Sequence, residues 1–326
     1  MFQPDSSAER NSLEQPAIDT NIYGESDLSY MDLYCSQTNV FGGLQKPFEK
    51  AKYVVFGVPF DATSSYRTGA RFMPTAVRQA SLNIETFSFR SGVDLMNVPL
   101  HDAGDLNVSS DAAQTVDMCK LVVKDILTAG KMPVAIGGEH TITLGIMRGL
   151  GAKAKETAIV SFDAHLDLRQ EFLGLTLSHT TFMQLISNEV KPAKIVEIGT
   201  RSVCQEELDY AEKAGVDMVS TQQIRKEGTR KIVEQVKTML APYENIYLSV
   251  DMDILDPAFA PATQNPEADG ISKGQLLDII CTLCDERVVG FDVVEIAPVY
   301  DQGISAIAAA KLMFEILCQL QKSKKV

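Results

Sequence analysis

Four apolar runs in this sequence stop abruptly at acids or histidines. PVAIGG (133–138) leads into Glu139 and His140, and AIVSF (158–162) into Asp163, His165 and Asp167. NIYLSV (245–250) leads into Asp251 and Asp253, and VVGFDVV (288–294) into Glu295. Short, continuous apolar runs bounded in this way read as strands buried on both faces. A carboxylate at the end of such a strand is costly to bury unless it is paired or coordinates a metal. In SFDAHLDL (161–168) the spacing of two also puts Asp163, His165 and Asp167 on one side of an extended segment. Any one of these ends is a weak signal, since the Gly-Gly before Glu139 is explained by a turn alone. Four together require a fold that brings four strand ends to one place, and a parallel sheet does that at its carboxyl edge.

The rest of the chain supplies such a sheet. Further strand candidates are YVVFGV (53–58), KIVEIG (194–199) and VDMVS (216–220), with a weaker one at VPLHDAG (98–104). Helical segments separate them. Residues 111–129 place Val116, Leu121, Val122, Ile126 and Leu127 at helical spacing and stop at Gly130. Ser272, with Gln275 three residues later, makes a capping-box start. Strands alternating with helices predict an α/β fold with a mainly parallel sheet of roughly eight strands, covered on both faces. Residues 1 to about 45 are polar and lack a sustained period. They read as an N-terminal arm, partly mobile or packed on a neighbouring subunit, ahead of a single domain over 46–326.

Composition narrows the function classes. A net charge of -13 leaves no basic patch to neutralise phosphates, which argues against a nucleic-acid partner and suits a small cationic one. No apolar stretch stands out at the ~20 residues needed to span a bilayer, so no membrane span is expected. Asp5, Glu9, Glu14 and Asp19 against a lone Arg10 are wrong for a signal or transit peptide. Cys35, Cys119, Cys204, Cys281, Cys284 and Cys318 are scattered, as in a reduced, cytoplasmic protein. Cys281 and Cys284 form a CxxC, but within the amphipathic LLDIICTLC and without a second pair, so they read as core thiols.

Of only four histidines, His140 and His165 already sit among the strand-end acids. His179 follows in TLSHTTF, one loop beyond Asp167. His101 in VPLHDAG has only Asp102 and Asp105 nearby and reads as structural. Four carboxylates and two imidazoles without a thiolate make a hard, oxygen-rich donor set. It suits Mn²⁺ over structural zinc, and two ions over one. With Asp163 and Asp251 bridging, two ions would lie ~3.5–4 Å apart, and a water between them would lose its proton near neutral pH.

Taken in order, GGEHT, SFDAHLD and SVDMDILDP resemble the three metal motifs of the ureohydrolase family, the arginases and agmatinases. The likeness runs from VFGVPFDATSSYRTGARFMPTAVRQAS through IGTRS to EIAP, roughly residues 50 to 320. The resemblance implies a three-layer α/β/α fold, two Mn²⁺ per chain, and hydrolysis of a guanidino compound to urea and an amine. It also implies a homo-oligomer, a trimer or hexamer. By position, His140, Asp163, Asp167 and Asp251 would hold one ion, and Asp163, His165, Asp251 and Asp253 the other. Glu295 matches the glutamate that pairs with the guanidinium. His179 matches the histidine that shuttles protons to the leaving amine, and Asp167 would also orient the nucleophile. The chemistry agrees, because a carboxylate grips a planar guanidinium by two hydrogen bonds and a departing nitrogen needs an acid near neutral pKa. The chain departs from the family pattern at His179-Thr180-Thr181, where many agmatinases read His-Gly-Thr, and at Thr68 and Met73, where Pro and Gly are common.

Arginase-like proteins follow the second motif with an Asn and a Ser/Thr-rich loop for the substrate's amino-acid end. LRQEFLGLTLSH (168–179) does not resemble that loop and is closer to agmatinases of archaeal type, some of which prefer aminopropylagmatine. The expected substrate is therefore agmatine or an N-substituted agmatine, cleaved to urea and putrescine or the corresponding polyamine. Its distal ammonium suits an acidic pocket end, for which Glu267 and Asp269 in NPEADG are the candidates. Arg169 would instead hold a carboxylate such as that of guanidinobutyrate, unless it pairs with Glu171. The alternatives are hydrolysis of guanidinobutyrate or arginine, a single-zinc deacetylase-like enzyme, and an inactive binding homologue. The intact ligand set weighs against the last.

Overall fold

The computed structural model describes residues 29–36 and 39–323. In chain order the strands are β1 (Cys35–Ser36), β2 (Tyr53–Gly57), a small hairpin of β3 (Phe87–Ser88) and β4 (Val93–Asp94), and β5 (Leu100–Leu106). They continue with β6 (Met132–Ile136), β7 (Thr157–Phe162), β8 (Lys194–Thr200), β9 (Asp217–Ser220), β10 (Asn245–Asp251) and β11 (Val288–Val294). All but the hairpin form one sheet in the order β1-β5-β2-β6-β11-β10-β7-β8-β9. Every pairing from β5 across to β9 is parallel, and β1 alone runs antiparallel, against β5. The parallel strands are the eight apolar runs singled out above. The weakest of them in sequence, β5, alternates buried and half-buried residues, whereas β6, β7 and β11 are buried throughout. A strand covered on both faces is apolar at every position and announces itself.

The two faces of the sheet carry separate cores. Tyr53, Val55, Val160, Val196, Leu248 and Phe291 pack with the helices Met73–Ser81, Thr229–Leu240, Lys273–Leu283 and Ile304–Ser323. Val54, Phe56, Ile159, Ile195, Tyr247 and Val294 pack on the other side with Ala112–Thr128, Ile142–Gly149 and Gln205–Ala214. Successive residues of each strand serve opposite faces, which makes the three layers α/β/α. Local punctuation follows the sequence. Asp111 caps Ala112–Thr128 by accepting from Gln114 N, and Ser272 and Gln275 make a reciprocal capping box on Lys273–Leu283.

Ile304–Ser323 corrects one expectation. By length and composition this helix could cross a bilayer, yet in the fold it is a core helix with most of its length buried. Its Glu315 accepts from Ser88 Oγ (2.6 Å) and pairs with Lys311 (2.9 Å). Within the stretch read as an arm, Tyr30–Tyr34 forms a helical turn against Ala112–Thr128, and β1 lies along the β5 edge. These residues dock on their own chain, where Tyr30, Met31, Tyr34 and Cys35 meet the apolar core. Residues 1–28 lie outside the described residues.

Candidate metal centre and active site

β6, β11, β10 and β7 are neighbours in the middle of the sheet, so their carboxyl ends meet. The chain leaves β6 through Gly137 and Gly138 into Glu139 and His140, and leaves β7 into Asp163; β10 ends on Asp251, and β11 runs into Glu295. Only glycine fits at 138, because a Cβ there would lie 1.8 Å from the Phe60 carbonyl oxygen. The turn is tied to the end of β11: Glu295 N donates to Gly138 O (2.9 Å), and His140 N donates to Glu295 Oε1 (2.6 Å). Asp167 and Glu295 have φ of 51° and 71°. That left-handed conformation costs a non-glycine residue on the order of 1–3 kcal/mol and persists only where the surroundings impose it.

Two groups of side chains are each close enough to share a metal ion: His140, Asp163 and Asp251, and Asp163, His165 and Asp253. Asp163 belongs to both. His140 Nδ1 lies 3.1 Å from Asp163, 3.4 Å from Asp251 and 3.5 Å from Asp167. His165 Nδ1 lies 3.0 Å from Asp253 and 3.4 Å from Asp163. Backbone amides steady the carboxylates: His165 N on Asp163 Oδ1 (2.6 Å), Asp253 N on Asp251 Oδ1 (2.8 Å) and Ala164 N on Asp253 Oδ1 (3.0 Å).

The donor set fits a pair of divalent cations. His140 Nδ1 is buried and lacks a hydrogen-bond partner among the described residues although three carboxylates face it. The acids are pushed in opposite directions: burial, then the charges of Asp253 and Asp163, push Asp251 well above the carboxylate range, whereas Asp163, though buried, is held below it by His140 and His165. Burial and Asp163 raise Asp167 to about 7. Burial opposes charge on His140 and His165, yet the carboxylates around them hold both well above an ordinary imidazole. Carboxylates crowded this closely and buried this deeply call for positive charge among them, which divalent cations would supply.

A cavity of about 430 Å³ opens over these groups. Its lining includes His165, Asp167, Asp251, Asp253 and Glu295, together with Ser65, Tyr66, Arg169, Phe172, His179, Ser202, Glu207 and Glu267. Glu295 Oε2 is buried and unpartnered, and burial with the charge of Glu139 raises its pKa well above the usual range. His179 Nε2 lies 3.0 Å from Ser65 Oγ, and Nδ1 lies 3.3 Å from Thr63 Oγ1. Burial, then the charges of His165 and His140, lower its pKa to about 4.

Glu267 and Asp269 part company. Glu267 lines the cavity, accepts from Ser202 Oγ (2.9 Å) and lies 3.9 Å from His165 Nε2. Asp269, expected beside it, is exposed and paired with Arg225, and it is not part of the lining. The chain turns there with φ 73°, and Asp269 N and Gly270 N both donate to Asp256 Oδ2. Arg169 does not pair with Glu171. Its guanidinium lies over the Phe172 ring (5.0 Å), with Nε 4.0 Å from Glu207, which Leu168 N and Cys204 N hold in place. His101 bonds the Lys46 carbonyl (2.9 Å) and packs edge-on against Phe48, while Cys281 and Cys284 are buried core thiols.

Sequence reasoning did not assign Thr63, Ser65, Ser202 or Glu207 to the site. Thr63 and Ser65 lie on the loop after β2, at the same carboxyl edge, and Thr63 N bonds Glu139 (2.9 Å). Their signal was the hydroxyl-rich FDATSS following a strand, which names a place but no partner.

A model of the arginase family matches residues 51–318. The agmatinase of Bacillus anthracis is 36% identical over 276 residues, covering 83% of this chain and 92% of that protein. The N(1)-aminopropylagmatine ureohydrolase of Thermococcus kodakarensis is 34% identical over 270 residues, 82% of this chain and 90% of its own length. The crystal structure of the agmatine ureohydrolase of Thermoplasma volcanium superimposes with a TM-score of 0.79 at 36% identity, covering 86% of this chain and 93% of that one. With the strand-end acids gathered under one cavity and these matches covering more than four fifths of the chain, the chain belongs to the arginase family of ureohydrolases.

Proposed function

We propose that this chain hydrolyses the guanidino group of agmatine or an N-substituted agmatine, releasing urea and putrescine or the corresponding polyamine, with two Mn²⁺ per chain. The charge around the cavity carries this reading. The acids Glu295 and Glu267 line it, while the charge of Arg169 is answered by Glu207. A substrate with a cation at each end suits such a cavity. The carboxylate of arginine or guanidinobutyrate would find the guanidinium among the lining residues, Arg169, already beside Glu207, and an unpaired desolvated charge costs several kcal/mol. The related enzymes named for agmatine and for N(1)-aminopropylagmatine support the same class.

In this reading His140, Asp163 and Asp251, with Asp167 beside them, would hold one ion, and Asp163, His165 and Asp253, with Asp251, would hold the other. Manganese suits the hard, thiolate-free set. When bound, the pair of ions supplies a water deprotonated near neutral pH. Glu295 has one oxygen fixed by His140 N and offers the other to the guanidinium N–H groups. The arriving cation favours ionisation of Glu295, which burial had resisted. His179 is neutral at rest. It would take, at a ring nitrogen, the proton given up by the hydroxyl that adds to the guanidino carbon and, being a strong acid once charged, deliver it to the departing amine as the C–N bond breaks.

The test is kcat/KM by urea release for agmatine, aminopropylagmatine, guanidinobutyrate and arginine, side by side with Mn²⁺. Agmatine or its aminopropyl derivative is expected to exceed arginine by roughly two orders of magnitude, the effect of one unpaired buried charge. A preference for arginine or guanidinobutyrate overturns the reading and points to Arg169.

A further inference from the structure

Two residues before Asp251 and Asp163 on their strands lie Ser249 and Ser161. The register sets Ser249 beside Asp292 on one side and Ser161 on the other, and Ser161 beside Glu197. Four polar side chains therefore form one row across β11, β10, β7 and β8, each at most 1% exposed. Apolar residues are the rule at such depth, and buried polar groups persist where they have partners. One end of the row reaches a metal-cluster residue. His140 Nε2 is 2.8 Å from Ser249 Oγ, and Ser249 Oγ donates to Asp292 Oδ1 at 2.7 Å. Tyr247 OH (2.6 Å) and Thr143 Oγ1 (3.0 Å) donate to the second oxygen of Asp292.

We propose that Asp292 is a positioning residue for the ion on His140, acting through the Ser249 hydroxyl to set which ring nitrogen carries the proton. A carboxylate only accepts, so the Ser249 hydrogen goes to Asp292 and the Ser249 oxygen accepts from His140 Nε2–H. The lone pair is then on Nδ1, the atom facing Asp163, Asp167 and Asp251. The ring is further confined by Phe182, whose centroid is 4.3 Å away. Among the described residues His165 has no equivalent relay. Its Nε2 is 3.9 Å from Glu267, beyond hydrogen-bond reach, and its side chain is 24% exposed. The two ion positions are therefore built to different rigidity, and orienting partners of this kind affect metal affinity directly.

The inference rests on the metal reading above but not on the choice of substrate. Mn²⁺ is titrated into metal-free protein and followed by the spin-resonance signal of the free ion. Asp292→Asn and Ser249→Ala are each expected to weaken one of two sites about ten- to a hundred-fold and leave the other within about twofold. Turnover in both variants is expected to recover at saturating Mn²⁺ with KM unchanged. Equal weakening of both sites, or none at either in chains with wild-type circular dichroism, overturns the proposal. Ser249→Ala removes a single hydroxyl and decides the matter where Asp292→Asn does not fold. Failure to hydrolyse agmatine sinks only the substrate reading, whereas a wild-type protein that takes up no divalent ion sinks both.

Discussion

Glu295 serves two masters, with one oxygen on the His140 amide and the other buried and free. Glu295→Gln keeps the shape. With its amide oxygen on the His140 N–H, it turns a donor toward the donors of a guanidinium. Both ions should remain by metal analysis while kcat/KM falls about 10- to 100-fold, from one charge-assisted bond of ~1.5–3 kcal/mol. Near-normal kinetics would show a merely structural carboxylate. Glu197 carries a pH dependence of its own. Burial, then the charges of Asp163 and Asp167, push it well above the usual range, so the fold holds a proton that the unfolded chain releases above about pH 4.3. The folded state binds more protons in that window, so stability falls as pH rises from the unfolded pKa toward the folded one. In metal-free protein, Glu197→Gln should remove this slope of ~1.4 kcal/mol per pH unit, stabilising at pH 7 and changing little at pH 4. Urea unfolding at the two pH values measures it, and equal differences at both would refute the buried neutral acid.

At the level of elements, the site exists because four parallel strands end side by side and the turn after β6 is tight enough to bring His140 back over them. Gly138→Ala would set a methyl 1.8 Å from Phe60 O, at the start of the loop that carries Thr63 and Ser65. The expected cost is ~1–3 kcal/mol of overpacking, together with weakened Mn²⁺ binding. Gly274→Ala is the control. Its Cβ meets nothing nearer than Ser272 Oγ at 3.9 Å inside Lys273–Leu283, and the change should be neutral or stabilising by up to ~1 kcal/mol. Thermal melts of the pair decide, and a Gly138→Ala protein with unchanged melting temperature and ion affinity would show slack in the turn.

Across the whole molecule, the clusters join segments that follow β6, β7 and β10, residues far apart in the unfolded chain. Ions that bind only this arrangement stabilise it by mass action, ~2.7 kcal/mol for one site at a hundred times its Kd. Chelation should lower the melting temperature and added Mn²⁺ should restore it. A melting temperature indifferent to Mn²⁺ would argue against a preformed site.

The sequence by itself determined the eight parallel strands, their helical connections and the cluster of strand-end acids, because each is a local contradiction or a local period. A carboxylate closing a buried strand is conspicuous within a few residues, and so is a capped helix. Tertiary structure was needed wherever the partner lies far along the chain. Glu267 and Asp269 are two residues apart and alike in sequence, yet one lines the cavity and the other pairs with Arg225. Arg169 answers to Glu207 and not to its neighbour Glu171. Ile304–Ser323 has the length and apolarity of a membrane span, and only its burial between sheet and helices shows it to be core. Ser249, Asp292, Ser161 and Glu197 are single polar letters inside four separate apolar runs. What aligns them is the register of four strands, a property of long-range pairing that the composition of each strand does not contain.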